Sequence, residues 1–358
     1  MTPEEIKQIR LNHPDNLMAR HFDERYFDSL SGDLQARLIR IIKTGINNPD
    51  SQMGAYAMAP DDYDLFKPYL NLLICDYHGI EGEVQHQSDW SQPQTLDLQD
   101  IDPSLKNTSM RVRVGRNLED FPLPGAMTQA DRVSFEDQMV EVFQGLMSKP
   151  GYGGSYVSLT PGSAHEISPE KYQELVAEHK MFKDMSVDPY LQTAGISRHW
   201  PYGRGMYVSD DEQLIIWVGE EDQLRIMAMK KGSVLNEVFD RLHQCLEVLE
   251  AGGIKFAVSP VYGAVTSCPT NLGTGMRASL HLPLPQLTAQ GSNVEQLKPM
   301  AASLGLSVRG AGGEHTAAGT DGVVDISPKA RLQVTEAQIC QQLFDGVKAL
   351  WAKEKASV

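Results

Sequence analysis

Hydrophobic residues recur at the spacing of amphipathic helices from the start of the chain to about Asp76. Leu30, Leu34 and Leu38 follow this spacing, and residues 47–51, which contain two Asn and a Pro, break it. Residues 2–5, Thr-Pro-Glu-Glu, have the composition of a helix N-terminus with Thr2 as the N-cap. The pattern predicts an all-helical N-terminal domain over residues 1–95.

Residues 86–103 are rich in Gln, Ser, Asp and Pro and have no regular hydrophobic spacing. Helical patterns precede this segment and strand patterns follow it, which predicts a linker at residues 96–108. A long loop within one domain is the alternative interpretation.

Residues 109–358 combine period-two and helical patterns without a regular alternation of strand and helix. Strands are predicted at residues 109–116, 214–218, 224–229, 261–266, 277–282, 306–309 and 323–326. Helices are predicted at residues 128–147, 168–179 and 233–249, and from residue 335. Thr128 and Thr335 have the spacing of helix N-caps. These elements predict an α+β fold: a small all-helical N-terminal domain, then a larger domain with a mostly antiparallel β-sheet flanked by helices.

The composition narrows the class of protein. The chain has 358 residues, with 41% hydrophobic and 22% charged residues, as in a globular protein of two domains. A formal net charge of −15 argues against nucleic acid as a partner. No apolar run has the length of a membrane span, and the N-terminus has no signal-peptide pattern. Four widely spaced cysteines predict reduced thiols in a cytoplasmic protein.

The stretch at residues 266–281, Thr-Ser-Cys-Pro-Thr-Asn-Leu-Gly-Thr-Gly-Met-Arg-Ala-Ser-Leu-His, contains the most distinctive chemistry. Cys268 precedes a proline at the end of an apolar run, where a predicted strand stops. Backbone amides in such a turn lower a thiol pKa, so a thiolate is expected. Arg277 and His281 then share one face of the following strand. A hairpin with a buried structural cysteine is the alternative.

Two further segments contain clustered charges. Arg111 and Arg113 are two residues apart on a predicted strand, so they share a face and repel unless an anion lies between them. Solvated arginines on an exposed sheet are the alternative. Residues 219–223, Gly-Glu-Glu-Asp-Gln, place three successive carboxylates between two strands. By themselves they are typical of a solvated hairpin tip.

The run Cys-Pro-Thr-Asn-Leu-Gly-Thr at residues 268–274 closely resembles the signature of the phosphagen (guanidino) kinases. Further resemblances lie at residues 109–116, 200–205 (Trp-Pro-Tyr-Gly-Arg-Gly), 217–226 and 309–316. The resemblance covers nearly the whole chain and is strongest to the arginine kinases. It implies the same two-domain fold and reversible, Mg²⁺-dependent transfer of the γ-phosphoryl group of ATP to a guanidinium nitrogen.

The resemblance also implies roles for individual residues. Glu221, Cys268 and Glu314 would be catalytic and would hold the guanidinium group. Ser51, Gly54 and Tyr56, in a loop at residues 48–63, would contact the rest of the substrate. The nucleotide would be bound by Ser109, Arg111, Arg113, His179, Arg225, Arg277, His281 and Arg309. Glu220 and Asp222 would hold Mg²⁺ through water, with no direct protein ligand.

The implied roles agree with the chemistry of phosphoryl transfer, in which positioning and charge stabilisation dominate. Arginines bind phosphates through paired hydrogen bonds. A free guanidinium has a pKa above ~12, so a carboxylate must orient it and accept its proton. The glycine-rich residues 310–322 are expected to move as a lid.

Departures from the family pattern bear on which guanidine accepts the phosphoryl group. Gly219 replaces the usual Asn, Gln223 the usual His, and Gly312 a frequent Arg. The length of the loop at residues 48–63 favours L-arginine. The alternatives are another guanidine such as taurocyamine or lombricine, arginine side chains of proteins, and an inactive nucleotide-binding module. The sequence is compatible with a monomer or a homodimer.

Overall fold

The computed structural model describes residues 3–310, 319 and 322–357. The chain forms two compact units, and each contains several separate segments. The first unit contains the residues up to His86 together with Gly115–Ile226 and Leu249–Gly275. The second contains Gln87–Val114, Met227–Val248 and the residues from Met276 onwards. Both units combine early and late parts of the chain, so they do not test the predicted domain boundaries.

The N-terminal part of the first unit is helical. Its helices are α1 (Pro3–Asn12), α2 (Leu17–His21), α3 (Glu24–Ser29), α4 (Gly32–Asn47), α5 (Asp62–Leu65) and α6 (Lys67–His78). Leu38, Ile41 and Ile42 of α4 are buried, as their spacing predicts. Leu30 is instead the C-cap residue of α3, so the helix predicted through it is two helices. Thr2, the predicted N-cap, lies outside the described residues.

The first unit also contains a three-stranded antiparallel arrangement in the order β2-β3-β4. These strands are β2 (Gly154–Ser158), β3 (Gly205–Ser209) and β4 (Leu214–Val218). The helices α7 (Gln129–Met147), α8 (Pro169–Ala177) and α9 (Pro189–Ala194) belong to the same unit. The predicted capping box of Thr128 with Asp131 is present at the start of α7. Strands β2 and β3 and helix α9 were not predicted from the sequence, because they are short and flanked by glycine or proline.

The strand predicted over residues 261–266 is wrong in extent. Only Gly263–Ala264 is a strand (β7), and it pairs with Val258–Ser259 (β6). Gly263 has φ +74°, in the left-handed region, and a side chain there would lie 2.2 Å from the His86 ring. An extended strand cannot continue through that backbone conformation.

The second unit has four antiparallel strands in the order β1-β8-β10-β9. They are β1 (Thr108–Arg116), β8 (Met276–Pro283), β9 (Leu306–Gly310) and β10 (Val323–Pro328). Helix α12 (Glu336–Ala356) packs against β8 and β10, and the short α11 (Lys298–Ser303) packs against β9. Thr335 and Gln338 form the predicted capping box of α12.

Three elements pass from one unit into the other along the chain. Strand β1 begins in the second unit and ends in the first. Strand β5 (Leu224–Gly232) begins in the first unit, and helix α10 (Leu235–Ala251) ends there.

The segment predicted as a linker contains two short 3₁₀ helices, Leu98–Asp100 and Pro103–Asn107. Leu96, Leu98 and Leu105 are buried there. The predicted α+β fold, with a helical N-terminal part and an antiparallel sheet flanked by helices, is confirmed.

A search of the described part of the chain found no helix long and apolar enough to cross a membrane.

Candidate active site

The three successive carboxylates lie in a turn of the first unit between β4 and β5. Gly219 has φ +75°, which suits glycine, and its N–H donates to the Gln223 carbonyl at 2.9 Å. A side chain at residue 219 would lie 2.3 Å from the Gly203 carbonyl oxygen. The turn is therefore closed by a bond between its ends and fits only glycine.

Arg225 forms ion pairs with two carboxylates of this turn. Its guanidinium lies 2.8 Å from Glu220 and 3.9 Å from Glu221, and it stacks over the Trp217 ring at 5.3 Å. The Glu221 side chain is 22% exposed, so it is open to a ligand while close to a cation. The structure thus brings together two predicted site residues, Glu221 and Arg225. The Trp217 platform under Arg225 was not predicted.

Cys268 is also in the first unit, immediately before a 3₁₀ turn at Pro269–Asn271. Its thiol is buried, and the Thr270 hydroxyl donates to the sulfur at 3.1 Å. Burial and the nearby charge of Glu221 raise the pKa of Cys268 to about 12, and the bonds from Thr270 offset this only in part. The expected thiolate is therefore wrong for this structure, in which the thiol is protonated at neutral pH.

Tyr56 is the third member of this cluster. Burial raises the pKa of its phenol well above the ordinary value, and the neighbouring Cys268 and Glu221 act in the same direction when they are ionised. Its backbone N–H donates to the Ile41 carbonyl at 2.9 Å. The neighbouring Ala57 N–H donates to the Ser267 carbonyl at 2.8 Å. Tyr56, Glu221 and Cys268 therefore lie in one electrostatic neighbourhood, which we call the thiol–carboxylate cluster.

The loop that contains Ser51 and Gly54 is held by hydrogen bonds. The Ser51 hydroxyl accepts from the Gly54 N–H at 3.1 Å, and the Gly54 carbonyl accepts from the Gly45 N–H at 2.8 Å. Gly54 has φ +72°, and a side chain there would lie 2.7 Å from Met18 Cβ. Gly54 is thus required for this loop to pack between α2 and α4.

Asp222 is buried within the first unit. Its Oδ1 accepts hydrogen bonds from Asn117 Nδ2 at 2.8 Å and from the Ser267 N–H at 2.6 Å. Burial raises its pKa against these hydrogen bonds, which lower it. Asp222 therefore links the carboxylate turn to the residue before Cys268. The sequence analysis did not single out Asn117 or Ser267.

The second unit contains most of the residues expected to bind the nucleotide. Along β1, the half-buried Ser109, Arg111 and Arg113 alternate with the fully buried Met110, Val112 and Val114. Arg111 lies opposite Ser279 of β8, and Arg113 lies opposite Arg277. The prediction that these arginines share one face is confirmed.

A polar row crosses the four strands of the second unit. Ser109 of β1 lies opposite His281 of β8, His281 opposite Asp325 of β10, and Asp325 opposite Arg309 of β9. Residues opposite one another on paired strands share a face. Three predicted nucleotide-binding residues thus fall in one row with Asp325, which the sequence analysis treated only as part of a strand.

Asp325 is the centre of this row. Its Oδ1 lies 2.5 Å from Arg277 Nη2 and its Oδ2 lies 3.7 Å from His281 Nε2. Arg277 Nε also donates to the Ser327 hydroxyl at 3.1 Å. Burial alone would raise the Asp325 pKa, but the nearby His281 ring and the charges of Arg277 and Arg111 outweigh it, so the pKa is lowered. The ionised carboxylate holds Arg277 in a fixed orientation.

Two predicted site residues remain, His179 and Glu314. His179 is exposed and follows α8 with φ +58°, so the helix predicted to reach it ends at Ala177. The next residue, Lys180, accepts a hydrogen bond from Trp217 Nε1 at 2.7 Å through its carbonyl. Glu314 and most of the predicted lid at residues 310–322 lie outside the described residues.

A search for metal sites considered groups of three or more His, Cys, Asp or Glu side chains. None was found in the described ranges. The prediction that Mg²⁺ has no direct protein ligand stays a prediction.

Comparisons with known proteins define the class. Residues 12–75 match the N-terminal domain of the ATP:guanido phosphotransferases, and residues 134–357 match their C-terminal catalytic domain. The chain is 37% identical to an arginine kinase from Artemia franciscana over 348 residues, covering 96% of this chain and 93% of that protein. The chain belongs to the ATP:guanido phosphotransferase family and is a phosphotransferase.

Two solved structures are also similar to this chain. A duplicated, substrate-free taurocyamine kinase from Schistosoma mansoni matches with a TM-score of 0.82 and 29% identity. The match covers 98% of this chain and 49% of that one, so this chain spans about half of the duplicated protein. A lombricine kinase matches with a TM-score of 0.82 and 28% identity over 96% of this chain and 93% of that chain.

Proposed function

We propose that this protein transfers the γ-phosphoryl group of ATP to a guanidinium nitrogen of L-arginine, reversibly, to give phosphoarginine and ADP. The observation that carries the proposal is the thiol–carboxylate cluster. An open carboxylate, a buried thiol and a half-buried phenol are the groups that a planar cation with several N–H donors would contact. The family assignment supplies the reaction class.

Glu221 is proposed to hold the guanidinium and accept its proton. In the transfer, a guanidinium nitrogen forms a bond to the γ-phosphorus, and the bond from the γ-phosphorus to the bridging oxygen of ADP breaks. The proton released by the nitrogen passes to the Glu221 carboxylate. Proper orientation of the nitrogen accounts for much of the rate, since phosphoryl transfer depends on positioning.

The Cys268 thiol is proposed to lose its proton when the substrate binds. Burial keeps its thiol protonated in the protein alone, with a pKa of about 12. A guanidinium cation next to the sulfur favours the thiolate and lowers this pKa. The thiolate would then stabilise the bound cation. No covalent bond to sulfur is needed, because the phosphoryl group passes directly to nitrogen.

The arginines of the second unit are proposed to bind the phosphates of the nucleotide. Arg111 and Arg113 share a face, and Arg277 is held by Asp325 and Ser327. Guanidinium groups suit phosphate because they form paired, charge-assisted hydrogen bonds. Arg225 and Arg309 are proposed to bind the phosphates as well. His281 and Ser109, in the polar row, are proposed to contact the remainder of the nucleotide.

Mg²⁺ is proposed to bind to the phosphates of ATP and to neutralise part of their charge. Glu220 is the carboxylate proposed to hold it through water. Asp222, the other carboxylate that the resemblance implies, is buried and accepts hydrogen bonds from Asn117 and Ser267. The donor set fits an ion of this kind, since Mg²⁺ prefers oxygen ligands and keeps several waters. Arg225 would compete for Glu220, because the two are 2.8 Å apart in the structure.

L-arginine is favoured over other guanidines on the strength of the relatives. Those named arginine kinase are 35–37% identical and align over at least 90% of this chain. The structures named taurocyamine and lombricine kinase are 28–29% identical. Taurocyamine and lombricine are the second candidates, because these structures share the fold over nearly the whole chain.

A coupled assay of ADP release from Mg-ATP tests the proposal. The substrates compared are L-arginine, taurocyamine, lombricine, glycocyamine, creatine and an arginine-rich unfolded protein. Turnover at least tenfold faster with L-arginine than with any other substrate is expected. Faster turnover with another small guanidine would retain the reaction and reject arginine. Absence of turnover with every substrate would reject the proposed function.

A further inference from the structure

Asn117 follows β1 and is completely buried in the first unit. Its side-chain amide uses both donors and its acceptor. Nδ2 donates to Asp222 Oδ1 at 2.8 Å and to the Val265 carbonyl at 3.0 Å, and Oδ1 accepts from the Gln223 N–H at 2.9 Å. One side chain thus bonds both to the carboxylate turn and to the segment that leads to Cys268.

Each bond ends close to a proposed catalytic group. Asp222 is the residue after Glu221, and it also accepts from the N–H of Ser267, the residue before Cys268. Asn117 and Asp222 together therefore fix the backbone on both sides of the thiol–carboxylate cluster. A fixed backbone one peptide away limits how far Glu221 and Cys268 can move relative to each other.

Gln223 extends the network on the other side of the turn. It is completely buried, its Oε1 accepts from the Leu118 N–H at 2.8 Å, and its Nε2 donates to the Pro122 carbonyl at 2.9 Å. Gly219 donates to the Gln223 carbonyl. Two of the positions at which this chain departs from the usual family sequence, Gly219 and Gln223, are thus bonded within the same turn.

Gly115 limits the space around the network. A side chain at residue 115 would lie 2.5 Å from Asp222 Oδ2. This atom is the end of a side chain and can move without disturbing the backbone. A methyl group at residue 115 would therefore displace the Asp222 carboxylate and leave Asn117 unchanged.

We propose that Asn117 is a positioning residue for the phosphotransfer reaction, which sets Glu221 and Cys268 relative to each other through Asp222 and Ser267. The inference rests on the proposed function of this cluster. It gives Asp222 a role in geometry, in place of the role of holding Mg²⁺ through water that the family resemblance implies.

The test compares Asn117→Ala and Gly115→Ala with the wild type. Both variants should lower kcat on the order of 10²-fold, because small misplacement of reacting groups has an effect of this size. The dissociation constant for Mg-ADP should stay within about twofold, since the arginines of the second unit are untouched. Asn236→Ala, which removes a side-chain amide with two hydrogen bonds, is the control and should retain wild-type kcat.

Asp222→Asn separates geometry from metal binding, because the amide oxygen can still accept from Asn117 and Ser267. The Mg²⁺ concentration for half-maximal rate should be unchanged. A tenfold increase, with kcat recovered at high Mg²⁺, would overturn the proposal. So would a kcat within about threefold of wild type in either folded variant, Asn117→Ala or Gly115→Ala. If Asn117→Ala does not fold, Gly115→Ala decides.

The assay uses whichever guanidine the wild type phosphorylates, so rejection of L-arginine leaves the test intact. If the wild type phosphorylates none, alkylation of Cys268 by iodoacetamide replaces kcat as the readout. Loss of the Asn117 network should raise the alkylation rate of Cys268 at least fivefold relative to the buried Cys245. An unchanged ratio would overturn the positioning role independently of the reaction.

Discussion

The Cys268 thiol experiences two opposing influences on its pKa. Burial and the charge of Glu221 raise it, and the hydroxyl and backbone of Thr270 lower it. Burial is the largest contribution, so the neutral thiol is favoured. The local turn, from which a thiolate was expected, is outweighed by an environment that only the folded chain defines.

The reactivity of Cys268 should follow this pKa. In the protein alone, its alkylation by iodoacetamide should be slow at pH 8 and rise about tenfold per pH unit towards the pKa of about 12, since the thiolate is the nucleophile. Cys75 is only half-buried and should react first. Peptide mapping by mass spectrometry after timed alkylation measures both rates. Faster labelling of Cys268 than of Cys75, levelling off below pH 9, would contradict a protonated thiol.

Slower alkylation of Cys268 than of Cys75 is the opposite of what the thiolate expected from the sequence would give. A proline-bounded turn suggests exposed backbone amides, and nothing in residues 266–270 indicates that Tyr56 and Glu221 pack nearby. Tyr56 is more than two hundred positions away in the chain. Exposure depends on such distant contacts and cannot be inferred from local spacing.

Among the elements, the carboxylate turn depends most clearly on one residue. Gly219→Ala should lower stability by about 1–3 kcal/mol through its φ of +75°, and the collision with the Gly203 carbonyl should move the turn that contains Glu221. The rate of ADP release should therefore fall about tenfold or more. Urea unfolding and the coupled assay measure the two effects.

Gly253→Ala is the matched control for this variant. Gly253 has φ +98° but no heavy atom within 4 Å of the added carbon. It should lose stability through its backbone alone and retain the wild-type rate. Equal rates for the two variants would show that the position of the turn does not limit the reaction.

Asp325 makes the polar row of the second unit sensitive to acid. Its pKa is lowered on folding, so it contributes stability above its ordinary value near 4, and this contribution is lost as the pH falls through the lower folded value. Asp325→Asn should lower the free energy of unfolding by about 3 kcal/mol at pH 7, because Arg277 remains buried without its charged partner. Urea unfolding at pH 7, 5 and 3.5 measures this difference.

The difference between wild type and Asp325→Asn should shrink towards pH 3.5, because Asp325 of the unfolded chain, with an ordinary pKa near 4, takes up a proton there. Asp345→Asn, an exposed change on α12 in the same unit, should stay within about 0.5 kcal/mol of wild type. A constant difference across this pH range would mean that Asp325 is not held ionised by its neighbours.

Elements with strong local signals were predictable from the sequence. The capping boxes gave the starts of α7 and α12, and strict alternation gave β1 and the polar face of β8. Strands β2 and β3 were missed because they are five residues long and contain glycine. The strand predicted at residues 261–266 failed because Gly263 adopts a left-handed conformation.

For the residues of the site as well, local positions could be predicted from the sequence and long-range contacts could not. Arg277 and His281 could be placed on one face because they are four residues apart on one strand. Asp325 could not be assigned to them, since its position depends on β10 pairing with β8. Asn117 was missed for a similar reason, because its partners Asp222 and Val265 are more than a hundred positions away.

At the scale of the whole molecule, most of the cationic residues suited to phosphate and the acidic residues suited to a guanidinium belong to different units. The chain has a net charge of −15, yet the four strands β1, β8, β10 and β9 contain arginines with a single buried carboxylate, Asp325, among the described residues of those strands. In the first unit, the thiol–carboxylate cluster has the opposite character. Cationic groups suited to phosphate and acidic groups suited to a guanidinium are thus both present, as the proposed reaction requires.

³¹P NMR of the products from Mg-ATP and L-arginine, with wild type and Glu221→Gln, shows whether the phosphoryl group reaches the guanidinium nitrogen. ADP release alone also occurs in ATP hydrolysis, whereas the N–P bond of phosphoarginine has its own resonance. The wild type should give phosphoarginine and ADP in equal amounts, and Glu221→Gln should slow this on the order of 10²-fold. Glu212→Gln, an exposed control, should match wild type. Inorganic phosphate in place of phosphoarginine, or an unaffected Glu221→Gln, would contradict the account.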